Sequence, residues 1–519
     1  MDTIFGNIVL DRLLSQPLVF GLGILGVVLV VLSISVRGLQ RRCAICNDQA
    51  KLIKELKITD LRLKLLQSAH ISQQGRALAG TEPYLITCGK YQELVISQPA
   101  HVHDFYRSDY KGAFGPCWAI MRIHGKPLNF NFGDLFGRFM GTAVGLRYGD
   151  EWRKIRLHFD PPFKFHEAVR RLEIFQREIV LWVGELSTSS STDLNARSAF
   201  KFLVFRLVAH HLYRDAFDDR LYWQLLELSH LHDQAVHEIL ICKSHESRYW
   251  TLFPTSVRKS VDKFLSEWRG LNRAVIHNAR GGKWDCPIEE IARGFDPSKD
   301  MTEEDVSAVL TSHVRPLHSF LSTLGEVLFA NVDVSASVLS TTMTNLAANP
   351  SIQTELRSEI SKWKSQGEEG FSKYLTNTGT LLHRVIMESM RLSPAFWFSM
   401  PETTGEAKQI GGYHVPANTT VIIDNRRLNE EAVTWGDDGA QYRPDRFLEV
   451  APQALRCGFM RYGTSAASGR CLGKHLADLI FKLTTVAVVE RFQLESLGVG
   501  EKQLGVQNRD AADVRLIKI

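Results

Sequence analysis

Residues 461–477 read RYGTSAASGRCLGKHLA, and the stretch divides at Cys471. Before the cysteine, small residues and glycines permit a tight loop whose backbone can approach a flat partner closely. After it, a good helical sequence begins at once. A cysteine at the mouth of a helix has its thiolate favoured by free backbone N–H groups, and Arg470 and Lys474 add positive charge. A thiolate held in this way can ligate heme iron.

Three further elements lie upstream. Glu388-Ser-Met-Arg391 places a carboxylate and a guanidinium three residues apart, on one face of a helix. Tyr442-Arg-Pro-Asp-Arg446-Phe447 follows, about 25 residues before the cysteine. Trp152-Arg-Lys-Ile-Arg156 sets an indole N–H and a guanidinium on one helical face, a pair suited to a carboxylate such as a heme propionate.

The rest of the chain fits one large unit. Of its 519 residues, 44% are hydrophobic, and no repeat or Pro/Gly/Ser-rich linker divides it after the first 45 or so. A net charge of +5 with dispersed basic residues and no binding motif argues against nucleic acid as a partner. Eight cysteines are too few for a disulfide scaffold, and the CxxC of Cys43 and Cys46 lacks a second pair for zinc. Long apolar-periodic segments predict helices over 168–186, 200–213, 221–242, 257–277, 306–348 and 381–392. Short strand-like runs fall at 84–87, 94–97 and 412–423. The expected fold class is mainly α with a small β component. Histidines 210, 211, 230, 232 and 237 make no HExxH arrangement and read as surface or pocket-rim residues.

Taken together and in order, WxxxR, a long central helix, ExxR, the PxRF-type segment and CxGxxxA resemble the cytochrome P450 family, over roughly 51–519. The resemblance implies the P450 fold and heme b, with Cys471 as axial ligand and Gly473 and Ala477 as the small residues packed under the heme. It implies that Glu388, Arg391 and Arg446 form a buried triad supporting the loop, and that Trp152 and Arg156 hold a propionate. It also implies a monooxygenase that oxidises an apolar small molecule with electrons from NADPH, delivered by a reductase. The outcome could be hydroxylation, ring closure or coupling. The segments ANVDVS and ASGRCLGK look like those of fungal enzymes that tailor secondary metabolites such as cyclic dipeptides and alkaloids. An oxygen-independent isomerase or dehydratase on the same fold, and a non-catalytic heme-binding protein, are the alternatives.

The sequence departs from the family pattern in places. The aromatic before the ligand, Tyr462, stands nine residues away rather than seven, so the loop looks extended by two. On the central helix Asp333 matches the family's acid, but Val334 occupies the usual Thr position and the next hydroxyl is Ser335. Proton delivery is expected from Asp333 with Ser335 or an ordered water.

The amino terminus reads as an anchor. Residues 17–36, PLVFGLGILGVVLVVLSISV, carry no charge and are long enough to cross a hydrocarbon core. Arg37, Arg41 and Arg42 follow at once, which places the body of the chain in the cytosol. The expected organisation is a short lumenal terminus (1–16), a transmembrane helix (17–36), a juxtamembrane linker with an amphipathic helix at 51–66 (37–66 together), and a heme-binding catalytic domain (67–519). The expected location is the endoplasmic reticulum membrane, single-pass, facing the cytosol.

Overall fold

The computed structural model describes residues 45–89, 91–107, 124–125, 139–188, 191–241, 255–295, 315–394, 396–463, 470–498 and 513–519. The expected terminus 1–16 and anchor 17–36 lie outside the described residues. Among the described residues no helix is long and apolar enough to cross a membrane.

Helices make up most of the described residues, as their apolar periodicity requires. Those that bear on the site are α1 (Ser68–Ala79), α2 (Gly149–Phe159), α3 (Ala196–Tyr213), α4 (Asp219–Ile241), α5 (Leu381–Leu392) and α6 (Lys474–Val489). Between α4 and α5 runs a central helix over 315–348, packed closely against α3. It comprises an α segment Arg315–Gly325, a π-turn Glu326–Ala330 and a second α segment Asn331–Ala348. Leu324, Leu328, Phe329, Ala336 and Leu339 bury its apolar residues in a large core shared with α3, α5 and α6.

The main sheet has six strands in the order Lys54–Lys57, Tyr84–Cys88, Tyr91–Ile96, Thr420–Ile423, Glu402–Thr404, His124–Gly125. Tyr84–Cys88 and Tyr91–Ile96 form an antiparallel hairpin. The strand Thr420–Ile423 then joins it in parallel, with Val421 opposite Leu94. A helix α1 covers this sheet, where Gly75 leaves room for the buried ring of Tyr84.

Two expectations need correction. Residues 51–66 do not form one amphipathic helix: Lys54–Lys57 is a strand paired in parallel with Tyr84–Cys88, and only Leu63–Leu66 is helical. The alternation of charged and apolar residues in KELKI has the period of a strand, and a neighbouring strand with unpaired backbone decides between the two readings. Nor are the helical histidines all at the surface. His211 and His232 are buried, because each finds a partner inside: His211 Nε2 bonds the Pro162 carbonyl, and His232 lies among Phe139, Phe264 and Phe329.

Candidate active site

Cys471 stands three residues before the first residue of α6, with Gly473 at the N-cap. Its backbone N–H donates to the Tyr462 carbonyl at 2.9 Å, and Gly463 and Arg470 pair as an isolated bridge, so the two ends of the loop are tied together. Desolvation pushes the thiol up, and the Glu326 carboxylate adds to that. A hydrogen bond from the Gly473 backbone, then Arg156 and Lys474, act in the opposite direction. Those three favour the thiolate that a metal ligand requires. Ala477 lies in the first turn of α6, its N–H donating to the Gly473 carbonyl at 2.8 Å, and it is half-buried against the core.

The helix α2 delivers the second group. Asp150 and Glu151 in its first turn and Arg156 and His158 in its last complement the helix dipole. The Arg156 guanidinium lies 5.4 Å from the centre of the Trp152 ring, and its Nη1 donates to the Arg470 carbonyl at 3.0 Å. Asp160 pairs with it at 2.5 Å. The predicted Trp152–Arg156 pair is therefore assembled directly beside Cys471.

Behind the loop, Glu388, Arg391 and Arg446 meet in the core with at most 1% of each exposed. α5 begins at Thr380, whose hydroxyl accepts from the His383 N–H, and one buried face then presents both Glu388 and Arg391. Arg391 Nε and Nη2 donate to the two Glu388 oxygens at 2.7 and 2.8 Å. Glu388 Oε1 also accepts from Arg446 Nε and from the Arg443 N–H, both at 2.9 Å. The remaining guanidinium donors go mostly to backbone carbonyls, Arg391 Nη1 to Asn429 and Gly439 and Arg446 Nη2 to Asp438 and Gln441, while Arg446 Nη1 also donates to the Asp438 carboxylate at 3.1 Å. A buried ion group is tolerable only when satisfied to this degree.

The central helix contributes two carboxylates that point to different places. Asp333 pairs with Lys201 of α3 at 3.2 Å, and Lys201 also holds Asp233 of α4 at 2.5 Å. Asp233 in turn lies 3.4 Å from His232 Nδ1, whose ring stacks on Phe329 of the π-turn. Ser335 sits half-buried one residue beyond Val334. In an unbroken α-helix Glu326 and Asp333, seven residues apart, would lie within about 20° of one another. The π-turn Glu326–Ala330 intervenes and breaks that register. Glu326 accordingly accepts from the Gly145 N–H at 2.9 Å, while Asp333 turns to Lys201.

Lys201, Asp233, Glu326 and Gly145 had no signal in the sequence, since each is defined by a partner more than 30 residues away. Nor did Asn429, whose side chain binds the backbone of Met460.

This arrangement suits a heme with a thiolate ligand. The donor is a cysteine with N–H and cationic neighbours, and an Arg–Trp pair stands beside it. Arg156 is half-buried there, facing Asp160 through Nε and the Arg470 carbonyl through Nη1, so its charge is held at the end of the loop. When bound, thiolate-ligated heme supplies oxygen-activating redox chemistry.

Comparison with known proteins agrees. The profile of the family "Cytochrome P450" matches residues 121–507. The chain is 49% identical over 496 residues to the cytochrome P450 monooxygenase opdB of Penicillium oxalicum, covering 95% of this chain and 94% of that one. It is 38% identical to the cytochrome P450 monooxygenase apdB of Emericella nidulans, covering 94% and 95%, and 33% identical to lepD of Aspergillus flavus, covering 86% and 84%. Among solved structures, a zebra fish cytochrome P450 with progesterone aligns with a TM-score of 0.64 over 87% of this chain and 99% of that one, at 16% identity. That last likeness concerns the fold alone.

Proposed function

Because the chain belongs to the cytochrome P450 family and is a heme-thiolate oxidoreductase with Cys471 as ligand, we propose that it oxidises an apolar small molecule of fungal secondary metabolism, such as a cyclic dipeptide or alkaloid. Electrons come from NADPH through a reductase. The outcome is hydroxylation, ring closure or coupling. The observation that carries the reading is that Arg156, beside Trp152, bonds the carbonyl of the residue before Cys471, while the buried triad reaches the entry to the same loop through Asn429 and Met460.

In this reading the chain's own residues divide the work. The Arg391 and Arg446 network fixes the segments that lead into the loop. Trp152 and Arg156 bind a propionate. Asp333, with Ser335 or a water, carries protons to the site, and its ion pair with Lys201 sets when it is free to do so. The segment 17–36 anchors the chain in the endoplasmic reticulum membrane with the catalytic domain in the cytosol, supported by its uncharged length and the Arg residues after it.

The test is spectroscopic. Full-length protein reduced with dithionite and exposed to carbon monoxide is expected to give a strongly red-shifted Soret band, lost in Cys471→Ala. NADPH consumption should then require an added reductase and rise with the right substrate. A well-folded protein that takes up no heme, or a spectrum unchanged in Cys471→Ala, rules the proposal out.

A further inference from the structure

The helix Ser256–Gly282 packs beside α4, and the pair leaves a groove of about 520 Å³ between them. None of the residues that line it belongs to the site around Cys471. On the longer helix Glu267, Gly270, Leu271, Ala274 and Asn278 recur every three or four residues, so they share the face that borders the groove. Phe264 and Trp268 of the same helix turn to the core instead, against Phe329. Gly270 has no packing reason to be glycine. A Cβ there would meet nothing within 4 Å, and glycine weakens a helix interior. With Ala274 one turn on, it leaves the helix backbone open to the groove, while Leu221, Leu228 and Leu271 supply apolar walls.

An indole stands where this helix ends. Lys283 is left-handed, the Trp284 N–H donates to the Ala279 carbonyl at 3.0 Å, and a Cβ on residue 282 would collide with the Trp284 ring. The ring is thus laid against the helix end, where it borders the groove and stays 43% exposed. Three carboxylates, Asp218, Glu227 and Glu267, line the groove against one guanidinium, Arg220, an excess of two negative charges. Asp218 caps α4 through the Leu221 N–H at 2.7 Å, and Glu267 has Lys263 at 3.9 Å. Glu227 has no ion pair among the described residues.

We propose that this groove is a second binding site, for a small organic cation with an apolar body. The Trp284 face attracts a cation, as indoles do best among aromatic rings. The carboxylates repel anions, and the leucine walls with the open backbone at Gly270 take the apolar part. The volume is that of a small-molecule site. The inference is independent of what the heme-thiolate centre oxidises.

The test is calorimetric. Heme-loaded full-length protein is titrated with benzyltrimethylammonium, and with benzyl alcohol and benzenesulfonate as its neutral and anionic counterparts. A quaternary ammonium has no lone pair for iron, and Soret spectra recorded in parallel report any entry to the heme site. The cation is expected to bind about tenfold more tightly than the alcohol, with the sulfonate weaker still. Trp284→Ala should weaken it about tenfold and Glu227→Gln about threefold. Gly270→Leu, whose side chain enters the groove, should abolish binding, while its urea midpoint stays at or above that of the native protein because a good helix former replaces a poor one. Glu227 is exposed, so Glu227→Gln keeps the fold as well. No binding of the cation, equal affinity for its counterparts, or binding kept in Gly270→Leu overturns the proposal. A Soret shift that tracks the calorimetric isotherm also overturns it, since the cation is then held at the heme.

Discussion

Asn429 holds Met460 by both of its backbone groups: its side-chain amide donates to the Met460 carbonyl at 3.2 Å, and the Met460 N–H donates to its Oδ1 at 2.9 Å. The Asn429 carbonyl itself accepts from Arg391 at 2.8 Å. A continuous path of hydrogen bonds thus leads from the ExxR helix to the residue just before Arg461 and Tyr462. The Tyr462 carbonyl receives the Cys471 N–H. Rigidity of the metal ligand is supplied from the core through these bonds.

Replacing Asn429 by Ala strands two buried backbone groups, and each costs about 1–3 kcal/mol. Urea unfolding should show a loss of that order. The Soret-to-protein absorbance ratio should fall with it, since the segment entering the loop is no longer held.

Arg391→Lys is expected to behave as a severe change despite keeping the charge. Arg391 reaches both Glu388 oxygens and the carbonyls of Asn429, Gly439 and Gln441, and an ammonium has three donors without the planar fork. A loss of about 3–5 kcal/mol follows for breaking a buried ionic group. The check is the yield of folded, heme-loaded protein and its denaturation midpoint.

The acid limb of stability should carry the mark of His211. Burial pushes its pKa down to about 4, from an unfolded value near 6.5. Between these values the unfolded chain binds the extra proton, so stability falls as pH drops from about 6.5 towards 4. His211→Gln keeps a donor for the Pro162 carbonyl and should flatten that part of the stability–pH curve, measured by urea unfolding at a series of pH values.

Burial alone would raise the Asp233 carboxyl, but its hydrogen bonds to His232 and Lys201 outweigh that and lower it. A depressed carboxylate contributes stability above its unfolded pKa, and the contribution is lost as pH falls through the folded one. In Lys201→Met part of this contribution disappears. Because both carboxylates are partly exposed, the deficit at neutral pH should be about 0.5 kcal/mol at low salt, shrinking with salt and in acid. A deficit that grows as pH falls contradicts the pairing.

Much of this was legible before any coordinates. Glu388 and Arg391 are three apart on a periodic helix, Trp152 and Arg156 four apart, and Cys471 abuts a helix start, so local spacing carries their geometry. The helix of 381–392 and the hairpin strands near 84–97 likewise follow from period alone. What was not legible depends on partners remote in sequence. Residues 54–57 became a strand because Tyr84–Cys88 offered an edge. His232 is buried because three phenylalanines from separate elements surround it. The π-turn leaves no sign in the string GEVLFAN, yet it separates Glu326, bonded to Gly145, from Asp333, paired with Lys201, which an unbroken helix would have stacked.

The parallel pairing of Val421 with Leu94 also has a consequence for biosynthesis. The strand that completes the hairpin edge emerges from the ribosome roughly 330 residues after it, which at about 5–20 residues per second is a delay of some 20 s to a minute. Throughout that interval Tyr91–Ile96 presents an unpaired edge ending in Leu94, Val95 and Ile96. The nascent chain is therefore a natural client for chaperones, and its yield in a foreign host should depend on translation speed and on how well that one edge is shielded.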